Sequence, residues 1–171
     1  MTSQALSHQA SSASQTSLLG RARALVLDTR ADTAAPILRL TLAATMWPHG
    51  AQKFLGWFGG HGFEGTMGFF THTMGLPAPV AAFTILLEFF GPLFLVLGLG
   101  TRVFAAGFVG IMVGAIATVH APNGFFMNWF GDQKGEGFEY HLLVIGLALA
   151  LIVRGGGSFS IDRILSRRAS A

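Results

Sequence analysis

Apolar residues dominate four stretches of the chain, at about 36–58, 77–99, 102–121 and 138–153, and polar residues collect between and around them. A membrane-spanning helix needs about 20 predominantly apolar residues, with about 17 near the lower limit. The first three stretches meet that length, and the fourth depends on its two ends. Pro36 and Pro77 suit the first turn of a helix, where no backbone donor is lost. Pro48 and Pro92 fall inside helices and predict kinks, which neighbouring helices tolerate by satisfying the freed carbonyls. The pattern predicts an all-α fold, an integral membrane four-helix bundle spanning residues 34–156. Residues 1–33 read as a disordered tail with a weakly amphipathic, interfacial piece at 22–27, and 157–171 as a short basic tail. The first twenty residues carry neither a basic start nor an apolar run of signal-peptide length.

Composition strengthens this picture. Of 171 residues, 51% are hydrophobic and 11% charged, and the mean hydropathy is +0.56. Soluble domains carry about 25% charged residues, so the chain falls well outside that class. A pI near 10.2 and a net charge of +3 invite a nucleic-acid reading. The basic residues, however, flank the apolar runs in short groups, as membrane topology requires, so no nucleic-acid partner is expected. With no Cys, disulfides, thiolate metal sites and thiol catalysis are excluded.

Charge also orients the spans. Arg21, Arg23, Arg30 and Arg39 precede or open the first, Arg102 joins the second to the third, and Arg154, Arg163, Arg167 and Arg168 follow the fourth. The positive-inside rule places these regions, and with them both termini, in the cytoplasm of a bacterial-type inner membrane. The two outer loops are unusual. Residues 59–75 carry Phe63, Met67, Phe69, Phe70 and Met74 among glycines, which suggests an interfacial or re-entrant half-helix. Residues 123–137 carry Phe125, Phe126, Trp129 and Phe130, suited to the headgroup level. Together these loops can roof the outer end of the bundle. Gly110 and Gly114 form a small-xxx-small pattern that reads as close helix packing.

Polar residues inside spans are expensive and mark candidate sites. Arg39, near the cytoplasmic end, is expected to snorkel, and Arg102 and Arg154 to set orientation only. His49 and Lys53 are four apart and share a helix face. Glu88 lies about 16 Å from either end of its run, at the midplane, within reach of a long Lys53 side chain. The competing reading is a buried ion pair that only fixes helix register. His120, Glu139 and His141 lie toward the same outer side. His120 also suits a bland role, bonded to loop carbonyls. Glu139 and His141, two apart, face different ways, so at most one points toward Glu88. That spacing counts against a di-metal carboxylate site, which uses Glu-x-x-His pairs, and no metal site is expected. HExxH, a phosphate-binding glycine loop and a nucleophile elbow are all missing from the sequence.

A set of short motifs adds a family resemblance over about residues 36–165. These are His49-Gly50-x-x-Lys53, Gly75-Leu-Pro, Glu88 within Leu-Glu-x-x-Gly, Leu97-Gly-Leu-Gly-Thr-Arg102, Glu139-Tyr140 and Gly157-Ser-Phe-Ser-Ile-Asp162. In this order and register the chain resembles the DoxX family of small membrane proteins. The long N-terminal tail and the aromatic 123–137 loop have no counterpart in that pattern. The resemblance implies a four-helix membrane protein whose polar set is His49, Lys53, Glu88 and Glu139. It also implies an association with redox chemistry, since the wider group includes the membrane subunit of a thiosulfate:quinone oxidoreductase and members linked to oxidative-stress complexes.

Three functions fit these residues. The first is a quinone-interacting subunit of a redox complex. His49, Lys53, Glu88, His120, Glu139 and His141 are its candidate polar site and Phe and Met side chains its walls. The chain has no evident haem, flavin or iron–sulfur motif, so electrons require a partner protein or a soluble donor. The second is a non-catalytic accessory or scaffolding subunit of a larger membrane complex, or a homo-oligomer. The third is a small-molecule or proton carrier, against which stand the small number of helices and the lack of an internal repeat.

Overall fold

A computed structural model describes Gly20, Ala22 and residues 25–169; most of the expected N-terminal tail lies outside the described residues. Among the described residues the regular structure is entirely helical. Four long helices, α1 (Ala34–Leu55), α3 (Ala78–Leu97), α4 (Thr101–Ala115) and α5 (Glu139–Arg154), follow the four apolar runs with shifted ends. A short α2 (Gly62–Gly68) continues into a wider π turn at Phe69–Thr73, within the loop expected to hold a half-helix. Another π turn, Ile116–His120, and a short 3-10 turn, Ala121–Asn123, extend α4. The basic C-terminal stretch forms a further helix, α6 (Ile161–Ala169).

Helix ends follow local chemistry. Pro77 turns out to be the N-cap of α3, not a first-turn residue, and Pro79 stands inside the first turn. Gly98 ends α3 in the left-handed conformation, φ 64°. A Cβ there would also lie 2.5 Å from Ser160 Cβ and 2.6 Å from Arg39 Nη1, so glycine is required twice over. Pro48 and Pro92 are both interior to helices, as expected.

Helix α1 packs along α3 and α4 along α5, and the pairs close through α3 against α4 and α1 against α5. Leu42, Met46, Leu95, Phe108, Val144 and Leu151 form the shared core. The outward faces are also apolar, carrying Phe90, Leu93, Leu97, Val103, Leu143 and Val153 exposed. Soluble monomers rarely expose contiguous apolar surface on this scale. Two helical segments, Ala78–Leu97 and Thr101–Asn123, are long and apolar enough to cross a membrane.

The Arg39 end of the molecule corrects two sequence expectations. Arg39 does not snorkel: it is 2% exposed and inserts between α3 and the α6 turn. Its guanidinium donates to the carbonyls of Leu95 at 2.7 Å, Val96 at 3.0 Å, Phe159 at 3.1 Å and Ser158 at 3.3 Å. It thereby satisfies the last carbonyls of α3, which a helix leaves without intrahelical partners. Buried Asp162 performs the converse task, accepting from the backbone N–H of Gly100 at 2.8 Å and of Thr101 at 2.9 Å at the start of α4. Arg102 and Arg154 do more than set orientation. Arg102 donates to the Ile152 carbonyl at 2.8 Å and the Leu25 carbonyl at 2.9 Å, and Arg154 pairs with Asp32. The Asp32 carboxyl is held below its ordinary range, first by the Ala34 N–H and then by the Arg154 charge.

Candidate functional site

At the opposite end the helices diverge. Near their connecting turn α3 and α4 are in contact: Phe94 and Phe104 stack with centroids 4.6 Å apart, and a Cβ on Gly91 would meet Phe108 at 3.0 Å. Further along α4 this stops. Nothing lies within 4 Å of where Gly110 or Gly114 would carry a Cβ. These glycines therefore do not mediate the close helix packing read from their spacing; they leave a gap. The close approach belongs instead to Gly50, whose Cβ would lie 2.2 Å from the Glu88 carbonyl oxygen.

The gap is one wall of a cavity of about 570 Å³, within the range of small-molecule sites. Helix α1 contributes Met46, His49 and Lys53; α3 contributes Phe83, Thr84 and Glu88; α5 contributes Tyr140 and His141. Phe69 and Phe70, Thr118 and His120 come from the two π turns. Such turns are rare and recur at functional sites. Several lining residues on the outer faces, Phe69, Val80, Phe83 and Val119, are exposed and apolar, so the mouth of the cavity opens across an apolar surface.

Polar groups are few. Lys53 Nζ donates to Glu88 Oε2 at 2.5 Å, closing the reach inferred from helix geometry. Glu88 is 4% exposed. His120 and His141 face each other with ring centroids 4.0 Å apart, and His120 Nδ1 meets the Glu136 carbonyl at 2.8 Å, as a loop-bonded His would. His49 lies 6.0 Å from the Tyr140 ring, whose hydroxyl approaches Met46 Sδ at 3.6 Å. His141 is 6% exposed, and its Nδ1 has no hydrogen-bond partner among the described residues. A buried unpaired ring nitrogen is costly, and such atoms point to a group not yet accounted for.

Five of the six sequence candidates, His49, Lys53, Glu88, His120 and His141, line this cavity. Glu139 does not. Its carboxylate turns toward the 123–137 loop, accepting from the Met127 N–H and Trp129 Nε1, each at 3.2 Å. Tyr140 and Glu136 line the cavity although neither was a candidate. No cluster of three or more metal-binding side chains occurs among the described residues.

The described residues, all-helical, with an apolar exterior, two span-length helices and a half-buried ion pair beside an apolar cavity, fit a small membrane protein. Over residues 34–121 the chain matches the DoxX family, and it belongs to that family. It is 32% identical over 115 residues to "Putative oxidoreductase CatD" of Bacillus subtilis (strain 168), covering 67% of this chain and 75% of that protein. It is also 32% identical over 116 residues to "Inner membrane protein YqjF" of Escherichia coli (strain K12), covering 66% and 82% respectively. No solved structure matches the chain.

Proposed function

We propose that this DoxX protein is a four-helix inner-membrane protein, with both termini cytoplasmic, that holds a quinone in the outer-half cavity as the membrane subunit of a redox complex. The observation that carries the reading is an apolar cavity that opens on an apolar face and has the Lys53–Glu88 ion pair and the His120–His141 ring pair in its lining. The basic flanks support the orientation. The names of the two relatives, one an oxidoreductase and one an inner membrane protein, support the class and the location.

The residues fit such a ligand. Quinones partition into the bilayer, so a mouth lined by Phe69, Val80 and Phe83 is a suitable entrance. The His120 and His141 imidazoles in the lining are suited to bond a ring carbonyl, and the glycine gap on α4 admits a planar ring. When bound, a quinone supplies two-electron, two-proton redox chemistry, with the electrons delivered by a partner protein or soluble donor. The chain's own contribution is proton handling. The Lys53–Glu88 pair fixes a titratable carboxylate in the cavity wall, and the His120–His141 pair lies between that wall and the outer loops.

The test is gentle extraction of the protein into nanodiscs, followed by mass spectrometry of co-extracted small molecules and proteins. Wild type is expected to carry quinone. Gly114→Leu, whose Cβ has no atom within 4 Å, is expected to lose it by on the order of tenfold without melting earlier than wild type, since Leu is the better helix former, and Glu88→Gln to reduce it. Absence of quinone from wild type, or equal amounts in all three proteins, overturns the reading. Retained protein partners without quinone would then favour an accessory subunit.

A further inference from the structure

The end away from the cavity carries a second feature that the redox reading does not use. A groove of about 450 Å³ runs between the end of α3 and α6, lined by Leu97, Phe159, Ile161, Arg163, Ile164 and Arg167. Its rim is strongly apolar: Leu97, Phe159 and Ile164 are all exposed. Phe159 is 90% exposed and adopts φ 55°, a left-handed backbone that a bulky residue rarely enters. The chain thus accepts strain to hold a phenyl ring outward beside two arginines. Among the described residues the other non-glycine residue in this region of backbone space, Phe58 at φ 52°, is likewise an exposed phenylalanine, at the opposite end of the helices.

The arginines are available. Asp162, the acidic residue of α6, is turned inward with both oxygens engaged by the Gly100 and Thr101 N–H groups. Among the described residues neither Arg163 nor Arg167 pairs with a carboxylate, and the Arg163 guanidinium makes a 3.4 Å bond to Ser158 Oγ. A guanidinium pair at one end of an apolar slot matches a phosphate whose attached chains are apolar. Leu97 closes a helix of membrane-spanning length, which sets the groove at headgroup depth. We infer that this groove binds the headgroup of an anionic phospholipid, with Arg163 and Arg167 on the phosphate and Leu97, Phe159 and Ile164 against the first part of the acyl chains. The inference rests on α3 spanning the bilayer and is independent of what the cavity holds.

The experiment is native mass spectrometry of the full chain in detergent, with equal amounts of phosphatidylglycerol and phosphatidylethanolamine added. Wild type should retain phosphatidylglycerol several-fold over phosphatidylethanolamine, and the Arg163→Gln, Arg167→Gln double variant should bind both equally. Arg167→Gln alone leaves the Arg163–Ser158 bond in place and should weaken the preference in a fully folded protein. Phe159→Gly relieves the backbone strain, so it should raise the melting temperature while lowering lipid retention, opposite signs that a purely structural role would not produce. Glu88→Gln should leave the preference untouched, which separates this site from the cavity. Equal retention of both lipids by wild type, or a preference surviving in the double variant, overturns the inference. Displacement of phosphatidylglycerol by excess inorganic phosphate alone would assign a free-anion site and overturn the lipid as occupant.

Discussion

The two ends of the molecule solve the same problem in opposite ways. At the Arg39 end, buried polar groups are densely bonded: one guanidinium donates to four carbonyls and one carboxylate accepts from two N–H groups at the next helix start, with only Arg39 Nε and Thr101 Oγ1 left over among the described residues. Helices α3 and α4 meet there through stacked rings. At the cavity end the same two helices part, glycines face open space, and a buried imidazole nitrogen is left without a partner. A densely bonded buried polar network fixes a single arrangement, whereas open space between two helices is where something else can bind. The first end holds the fold and the second holds room for chemistry.

The sharpest way to break this comparison is Arg39→Met. The side chain keeps the apolar stem but stops short of the guanidinium, so the carbonyls of Val96, Ser158 and Phe159 lose this donor and that of Leu95 keeps only the Gly98 N–H. Leaving a buried acceptor unsatisfied costs about 1–3 kcal/mol, and here more than one is left. The expected outcome is a loss of that size in denaturant unfolding in detergent. A loss under about 1 kcal/mol, near the net worth of one ordinary hydrogen bond, would mean that water reaches the carbonyls and that this end is not sealed.

Gly50→Ala probes the boundary between the two regions. The new methyl would overlap the Glu88 backbone at 2.2 Å, forcing α1 away from α3 close to the Lys53–Glu88 pair. Overpacking of this kind costs about 1–3 kcal/mol. The variant should therefore unfold earlier and also retain less of whatever the cavity binds. Lower stability with full retention would show that the pair tolerates a shift of its helices.

These expectations depend on contacts that the sequence exposed only in part. Helical runs were legible because hydropathy over about 20 residues reports the membrane directly. The Lys53–Glu88 pair was legible because helix rise converts sequence position into depth, and both groups lie on helices of known direction. Arg39 was misread for a reason of distance. Its partners lie on α3 and on the turn before α6, 56 to 120 positions away, and hydropathy sees only an arginine near a helix end. Glu139 and Tyr140 were hard to tell apart because one residue turns a helix by about 100°. The sequence could name the cluster but not its rotation. The missed Tyr140 had one available signal, its place between Glu139 and His141 on a helix that had to turn some face inward. Gly110 and Gly114 were ambiguous in principle, since a small-xxx-small stripe permits close packing and equally permits an empty wall.

Gly114→Ala is the smallest perturbation and separates those two meanings. If the stripe packed against another helix, a methyl group would collide and stability would fall, as at Gly50. In this structure nothing lies within 4 Å of the new atom. The only remaining effect is on the helix itself, where Gly is less favourable than Ala by about 0.8–1.0 kcal/mol. The variant should therefore be more stable than wild type by up to about 1 kcal/mol, a rise detectable in the unfolding midpoint. The cavity would also become slightly narrower, so bound ligand should fall modestly as stability rises. That opposition is the signature of a glycine kept for space, because a residue that only supports the fold has no reason to trade stability away. A fall in stability would instead place a packing partner against this face of α4, and the contrast between the two ends would then lose its open space and rest on the Arg39 and Asp162 bonds alone.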